Sequence, residues 1–272
     1  MMLNGLNEKL PGKKAFITGA GSGLGAAFTK VLAQNEWELY LADINIGSLE
    51  EVKASLPNKA KVHLFELNIA DRLNFEKVSE SIKSITNEMD LVINNAGIGD
   101  GELIQHYEIE AWERMIQVNI LGVYYGVHYL LPLLWDNGGM IINIGSAAGF
   151  MNAPGMSAYN VSKAGVYSFS ETIYHELRSK NIHVSVVTPT FFQTNIAKGA
   201  FGSPKFAAFA EKQMKYSKTN ADEMAEVVLT QAAKGKFQII HPADARRNFF
   251  LKKWFPKLVQ KQFDKMVVKF SS

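Results

Sequence analysis

The sequence contains no cysteine. Disulfide frameworks, thiolate zinc sites and cysteine nucleophiles are therefore excluded. Its six histidines are scattered, with no HxxxH or HxH pair among them, and no metal site is expected. The opening residues, MMLNGLNEKL, lack a basic stretch followed by an apolar core, so no signal peptide is read there and a cytoplasmic protein is expected. Internal repeats, low-complexity tracts and linkers are also missing. Met115 to Trp135 is apolar over roughly a membrane span, but Gln117, Asn119, His128 and Pro132 break the run of ~18 apolar residues that a span needs. A helix buried against a sheet, or in a subunit interface, fits it better.

Strong overall charge is lacking too, the net value being +3. The distribution is uneven. From Arg246 onward, eight basic residues (Arg246, Arg247, Lys252, Lys253, Lys257, Lys261, Lys265, Lys269) stand against one acid, Asp264, which makes the tail +7 and the rest −4. The basicity belongs to a tail, and no nucleic-acid partner is expected. A hydrophobic fraction of 47% and a charged fraction of 20% suit a soluble globular protein with a sizeable core. At 272 residues the chain suits one large α/β domain or two small ones.

Apolar runs alternate with helical patterns in a βαβα rhythm, which favours a parallel sheet covered on both faces. Strands are read at Lys14–Thr18, Glu38–Asp43, Lys61–Leu67, Leu91–Asn94, Met140–Ile144, His183–Val187 and Lys236–Ile240. Helices are read at Leu24–Gln34, Ile46–Ser55, from near Asp71, within Glu108–Trp135, at Ser157–Lys180 and at Ala221–Lys234. Phe191–Ser217 reads as irregular.

Two stretches carry chemistry. In Ser146–Lys163, Tyr159 and Lys163 are four apart, one turn apart on the same face of a helix starting at Ser157. An ammonium beside a phenol favours the phenolate and lowers a pKa that is ordinarily about 10, which suits general acid–base work. Ser146, folded back, can hydrogen-bond a substrate oxygen. The second stretch, Thr18 to Gly25, places Gly19, Gly21, Gly23 and Gly25 with Ser22 and Leu24 between a strand and a helix. Such a turn lets backbone approach a pyrophosphate at a helix N-terminus. Asp43 ends the next strand about 20 residues on, where a carboxylate can take the ribose 2′-OH. Ile44 follows, with no base to offset a 2′-phosphate, so NAD is expected over NADP.

With TGxxxGxG (Thr18, Gly19, Gly23, Gly25) and YxxxK (Tyr159, Lys163) both present, the sequence resembles the short-chain dehydrogenase/reductase family from about Lys9 to Pro242. Asn94-Asn95-Ala96-Gly97, Asn119, and Ser146 before Ala148-Gly149 match further signatures. The resemblance implies a single Rossmann-type α/β domain with a doubly wound, seven-stranded parallel sheet. It implies a catalytic tetrad of Asn119, Ser146, Tyr159 and Lys163, with Tyr159 as general acid/base, and a homodimer or homotetramer. Cofactor contacts are implied for the glycine loop, Asp43, Ile44, Asn68, Ile69, Asn95, Ala96, Gly97, Tyr159, Lys163, Pro189 and Thr194. Asn68 stands where relatives have Asp, and Thr190 where they have Gly after Pro189.

Phe150, Met151, Ala153 and Met156 precede Tyr159, and Phe191, Phe192, Ile196, Phe201, Phe206, Phe209, Met214 and Tyr216 fill the 190–217 loop. They point to a bulky hydrophobic alcohol or ketone, or simply pack a lid. An enoyl reductase, epimerase or dehydratase on the same fold is the alternative, though enoyl reductases usually space Tyr and Lys wider and epimerases carry a longer C-terminal domain. A catalytically silent cofactor sensor is a third reading, which the full tetrad disfavours. Residues 1–242 are thus read as the catalytic domain and 243–272 as a basic amphipathic extension. Within it Val259, Phe263, Met266, Val267 and Phe270 recur at helical spacing, Lys257, Lys261, Lys265 and Lys269 run along the other side, and Pro256 suits the first turn. That helix packs on protein, its own domain or a neighbouring subunit, or lies peripherally on a membrane.

Overall fold

The computed structural model describes residues 3–135, 138–193 and 203–271. Seven parallel strands form one sheet: β1 (Lys14–Thr18), β2 (Glu38–Asp43), β3 (Val62–Glu66), β4 (Leu91–Asn94), β5 (Gly139–Ile144), β6 (Ile182–Val187) and β7 (Gln238–Ile239). Their order across the sheet is β3-β2-β1-β4-β5-β6-β7. The central strands are almost wholly apolar and buried along their length, as a sheet covered on both faces requires.

One face is covered by α1 (Asn4–Lys9), α2 (Gly23–Gln34), α3 (Ile46–Ala54) and α10 (Ala221–Ala233), whose Leu6, Phe28, Leu49 and Val228 share a core with Ile17, Leu39 and Ile142. The other face is covered by α4 (Arg72–Ile85), α6 (Gly122–Leu134) and α8 (Ser157–Leu177), whose Phe75, Leu130 and Ile173 meet Phe16, Val92 and Val184. Asn45, Asp71 and Asn220 cap α3, α4 and α10 through their side chains, which explains why those helices start where they do. The N-terminal α1 is tied down by the buried Trp37, whose indole N–H donates to Asn7 Oδ1 at 2.9 Å.

The segment 109–134 is one continuous helical path with a defect. α5 (Ile109–Ile116) passes into α6 through a π-helical turn at Gln117–Leu121. The defect brings the wholly buried Asn119 inward.

Four helices depart from the sequence reading. α1 and the one-turn α7 (Ala148–Met151) fall in stretches given no element, α9 (Pro204–Tyr216) occupies most of the segment read as irregular, and α11 (Ala243–Trp254) precedes the expected tail helix, α12 (Pro256–Ser271). Because the chain switches direction across the sheet between β1 and β4, a crevice opens beyond their C-terminal ends.

Candidate active site

The crevice is built from loop ends pinned to one another. Thr18, last residue of β1, accepts the backbone N–H groups of Asn95 and Ala96 on its hydroxyl, each at 3.0 Å. Asn95 returns the link, donating from Nδ2 to the carbonyls of Thr18 (3.0 Å) and Gly19 (3.2 Å). Gly19 has φ +65°, a left-handed conformation that favours glycine. At Gly25 a Cβ would collide with the carbonyl of Gly19. The turn is therefore as tight as its glycines allow. Ser22 is exposed and precedes α2 without capping it through its side chain, Gly23 opens the helix, and Leu24 is buried in the core below.

Asp43 holds this turn from the side. Its Oδ2 accepts the Gly21 N–H at 3.0 Å and its Oδ1 the Asn45 N–H at 3.0 Å. The neighbouring Ile44 is exposed. Asn68 is exposed and its Oδ1 accepts the Ala70 N–H at 3.1 Å, leaving the carbonyl oxygen one further lone pair. Ile69 is buried, seated where Gly122 leaves no room for a Cβ.

The catalytic candidates converge at the ends of β4 and β5. Tyr159 and Lys163 sit in the first two turns of α8, and Lys163 is buried with Nζ donating to the Ile144 carbonyl at 2.9 Å and lying 5.7 Å from the Tyr159 ring centre. Ser146 lies beside the Tyr159 phenol, and its Oγ donates to the Pro189 carbonyl at 3.5 Å. Its Oγ also accepts the Ala148 N–H at 3.1 Å, which sets its rotamer. Pro189, at the end of β6, is buried and its carbonyl accepts the Ala147 N–H at 2.7 Å, locking the Ser146 loop to the next strand. α7 (Ala148–Met151) crosses α8 at Gly149, where a Cβ would stand 2.7 Å from the Lys163 backbone.

Asn119 braces the floor. Its Oδ1 accepts the Ile98 N–H and its Nδ2 donates to the Ile98 carbonyl, both at 2.9 Å, and Nδ2 also reaches Ser162 Oγ at 3.1 Å. It thereby fixes the loop after β4 to α8, one residue from Lys163. Gly97 lies between, its missing Cβ 3.0 Å from Asn119 Oδ1 and 3.5 Å from Lys163 Nζ.

The electrostatics differ from the simple picture of a lysine lowering a phenol. Burial pushes the Tyr159 phenol up, and the neighbouring Ser146 hydroxyl works against that. Burial also drops Lys163 to about 8. Desolvation favours the neutral form of both groups, so the phenol and the ammonium are shifted in opposite directions and their values move apart.

The glycine turn, Asp43, Asn95, Ala96, Gly97, Asn119, Ser146, Tyr159, Lys163 and Pro189 gather at the strand ends, whereas Leu24 and Ile69 are buried in the core. Thr194 lies outside the described residues, as do Ile196 and Phe201. In the sequence only the strand-end position of Thr18 signals its role, and nothing signals that of Ser162. A further pair, Asp100 and Tyr107, had no sequence signal: the Tyr107 hydroxyl donates to Asp100 Oδ2 at 3.0 Å beside the crevice loop, and burial raises the Asp100 carboxyl. Among the described residues no group of three or more His, Cys, Asp or Glu could hold a metal.

The donor set fits a nicotinamide dinucleotide. The glycine turn has no space for side chains, the N-terminus of α2 opens onto it, and a carboxylate stands at the ribose end.

Around the reacting end, apolar groups come from separate elements. Phe206 of α9 lies against Gly155 and Gly101, and the Ser203 N–H donates to the Gly101 carbonyl at 3.1 Å. Phe150 of α7 stacks edge-on to Phe249 of α11 with ring centres 5.1 Å apart. Thr190 Oγ1 donates to Asp244 Oδ2 at 2.9 Å, so the residue replacing a glycine latches the C-terminal segment. Phe192 belongs to the main core and Tyr216 points to solvent; only some of the loop's apolar side chains are left to meet a substrate.

Comparison with known proteins agrees with this geometry. The short chain dehydrogenase family model matches residues 13–203. A 3-oxoacyl-[acyl-carrier-protein] reductase of Thermotoga maritima is 35% identical over 190 residues, covering 68% of this chain and 76% of the relative. A short chain dehydrogenase/reductase from Burkholderia phymatum, solved with NAD, superposes with TM-score 0.83 at 27% identity, covering 92% of this chain and 96% of that one. A serine dehydrogenase solved with NADP+ superposes with TM-score 0.76 at 25% identity, covering 85% and 95%.

Proposed function

The chain belongs to the short-chain dehydrogenase family, and from that premise we propose that it interconverts a hydrophobic secondary alcohol and its ketone with NAD as the preferred cofactor. NAD(P)-dependent oxidoreduction is the family's chemistry, and the nicotinamide, when bound, supplies or accepts the hydride. The chain's own residues manage the oxygen and its proton. Tyr159 gives the proton to, or takes it from, the substrate oxygen. Ser146, beside the phenol, holds that oxygen in reach. Lys163 favours the phenolate when protonated, and Asn119 keeps the β4 loop and α8 in register around it. The observation carrying this reading is the convergence of Ser146, Tyr159, Lys163 and Asn119 at the ends of β4 and β5.

Asp43 supports NAD, since a 2′-phosphate would face its carboxylate with only the apolar Ile44 beside it. Phe150, Phe206 and Phe249, drawn from α7, α9 and α11, support an apolar substrate. The subunits pair as a homodimer or homotetramer, supported by the exposed Tyr124 on α6 and Trp135 just past its end. A panel of hydrophobic secondary alcohols assayed with NAD and with NADP tests the reading. NADH formation from at least one bulky alcohol is expected, with kcat/KM for NAD about tenfold or more above NADP, ~1.4 kcal/mol. No turnover of any alcohol or ketone with either cofactor contradicts it.

A further inference from the structure

The tail carries a surface that catalysis does not use. α11 and α12 meet at Phe255–Pro256 as a helical hairpin, with Lys252 Nζ 5.5 Å from the Phe263 ring centre. The stripe legible in the sequence faces partly inward: Val259 is 4% exposed, and Phe263 and Met266 are half-buried. Val267 is 37% exposed, so the stripe is packing only in part, and the Phe270 side chain lies outside the described residues. A different apolar set is left outside.

Phe250, Trp254, Phe255 and Leu258 are 54%, 61%, 47% and 54% exposed, and the rings of Phe250 and Phe255 lie 6.0 Å apart. Arg246, Phe250 and Trp254 recur every four residues, so basic and aromatic groups share the outward face of α11. Lys253 Nζ lies 5.4 Å from the Trp254 ring centre, and Lys257, Lys261 and Lys265 are exposed on α12.

We propose that this hairpin corner docks on an anionic phospholipid surface, its four apolar side chains entering the headgroup boundary while the flanking Arg and Lys meet phosphates. Large aromatics held in water mark an interaction site, and Trp among basic residues suits the bilayer interface. Charge selects the occupant. A two-fold pairing of tails would set one +7 segment against another, whereas an anionic surface complements it. No helix of the described residues is long and apolar enough to cross a membrane, so the contact is peripheral. The hairpin is fastened beside the catalytic cleft by Thr190–Asp244 and Phe150–Phe249, so docking would bring the cleft close to lipid-dissolved molecules. That last link rests on the proposed substrate class. The docking does not.

The test is sedimentation of the full chain with vesicles of phosphatidylcholine alone, or mixed with phosphatidylglycerol, at low and physiological salt. Binding to the anionic vesicles, weaker at physiological salt and negligible on phosphatidylcholine alone, is expected. Lys257→Gln should weaken partitioning about fivefold. Trp254→Ser with Phe255→Ser should abolish it while turnover of a water-soluble alcohol stays at the wild-type level, which also shows the variant is folded. Three results overturn the proposal: no sedimentation with anionic vesicles at low salt; binding that the double variant leaves unchanged; or a double variant that alters oligomeric state while the wild type ignores vesicles. Because binding and turnover are read separately, an inactive enzyme that still binds vesicles would count against the dehydrogenase reading alone.

Discussion

Lys163 shows how a single residue is set for function at a cost in stability. Its pKa falls from the ordinary 10.5 to about 8 on burial, so the folded state holds the proton less tightly than the unfolded chain. The penalty is fully present below about pH 8 and fades as pH rises towards the unfolded value. Lys163→Met should therefore be more stable than wild type at pH 7 by a few kcal/mol at most, partly offset by the lost bond to the Ile144 carbonyl, even as it loses turnover. The gain should shrink between pH 8 and 10. Urea titrations at both pH values check it, and a gap that widens with pH would contradict the assignment. Thr18→Val removes the acceptor for two N–H groups and should cost about 1–3 kcal/mol, read from the same titrations. Asp43→Ser with Ile44→Arg should move preference from NAD towards NADP in kcat/KM. These residues differ in how far sequence exposes them. The glycines, Tyr159 and Lys163 are legible because the chemistry demands their types at fixed spacing. Thr18 and Ser162 act by hydrogen bonds across segments distant in sequence, which spacing cannot display.

Among the elements, six of the seven strands both begin and end within a residue of where the apolar runs place them, because buried parallel strands read as short apolar runs between turn residues. β7 is the exception, being two residues long. α11 was not legible, since it shows no apolar face of its own, whereas α9 carries Phe206, Ala210 and Met214 at helical spacing, a pattern hidden by reading 191–217 as irregular; each is held by a few contacts to the crevice rim, such as Phe206 over Gly155 and Phe249 on Phe150. The π turn at Gln117–Leu121 is equally silent, being a hydrogen-bond defect inside a strong helical pattern. The division at 242/243 then takes on a different meaning, because Asp244, the buried Ala245 and Phe249 tie α11 to the catalytic domain. A chain ending at Phe255 should keep its kcat/KM for a bulky alcohol. One ending at Pro242 should show a KM raised severalfold with NAD affinity retained, as steady-state kinetics and cofactor titration would reveal.

At the scale of the whole molecule, the doubly wound sheet exists to bring the ends of β1, β2, β4, β5 and β6 to one crevice. A ligand bridging those ends binds only the folded chain, so NAD at about a hundred times its Kd should add ~2.7 kcal/mol to stability and raise Tm by several degrees. NADP at the same concentration should raise it less. The measurement that bears most directly on the central claim compares Tyr159→Phe with wild type, reading kcat/KM for the best alcohol and, on the same samples, the Kd for NAD. The phenyl ring preserves packing and removes only the hydroxyl beside Ser146 to which the proposal assigns the proton. The account predicts turnover lowered by at least about a hundredfold, within the range attributed to a positioned acid or base, with Kd within about twofold of wild type. Turnover near the wild-type level would show that the proton travels by another group.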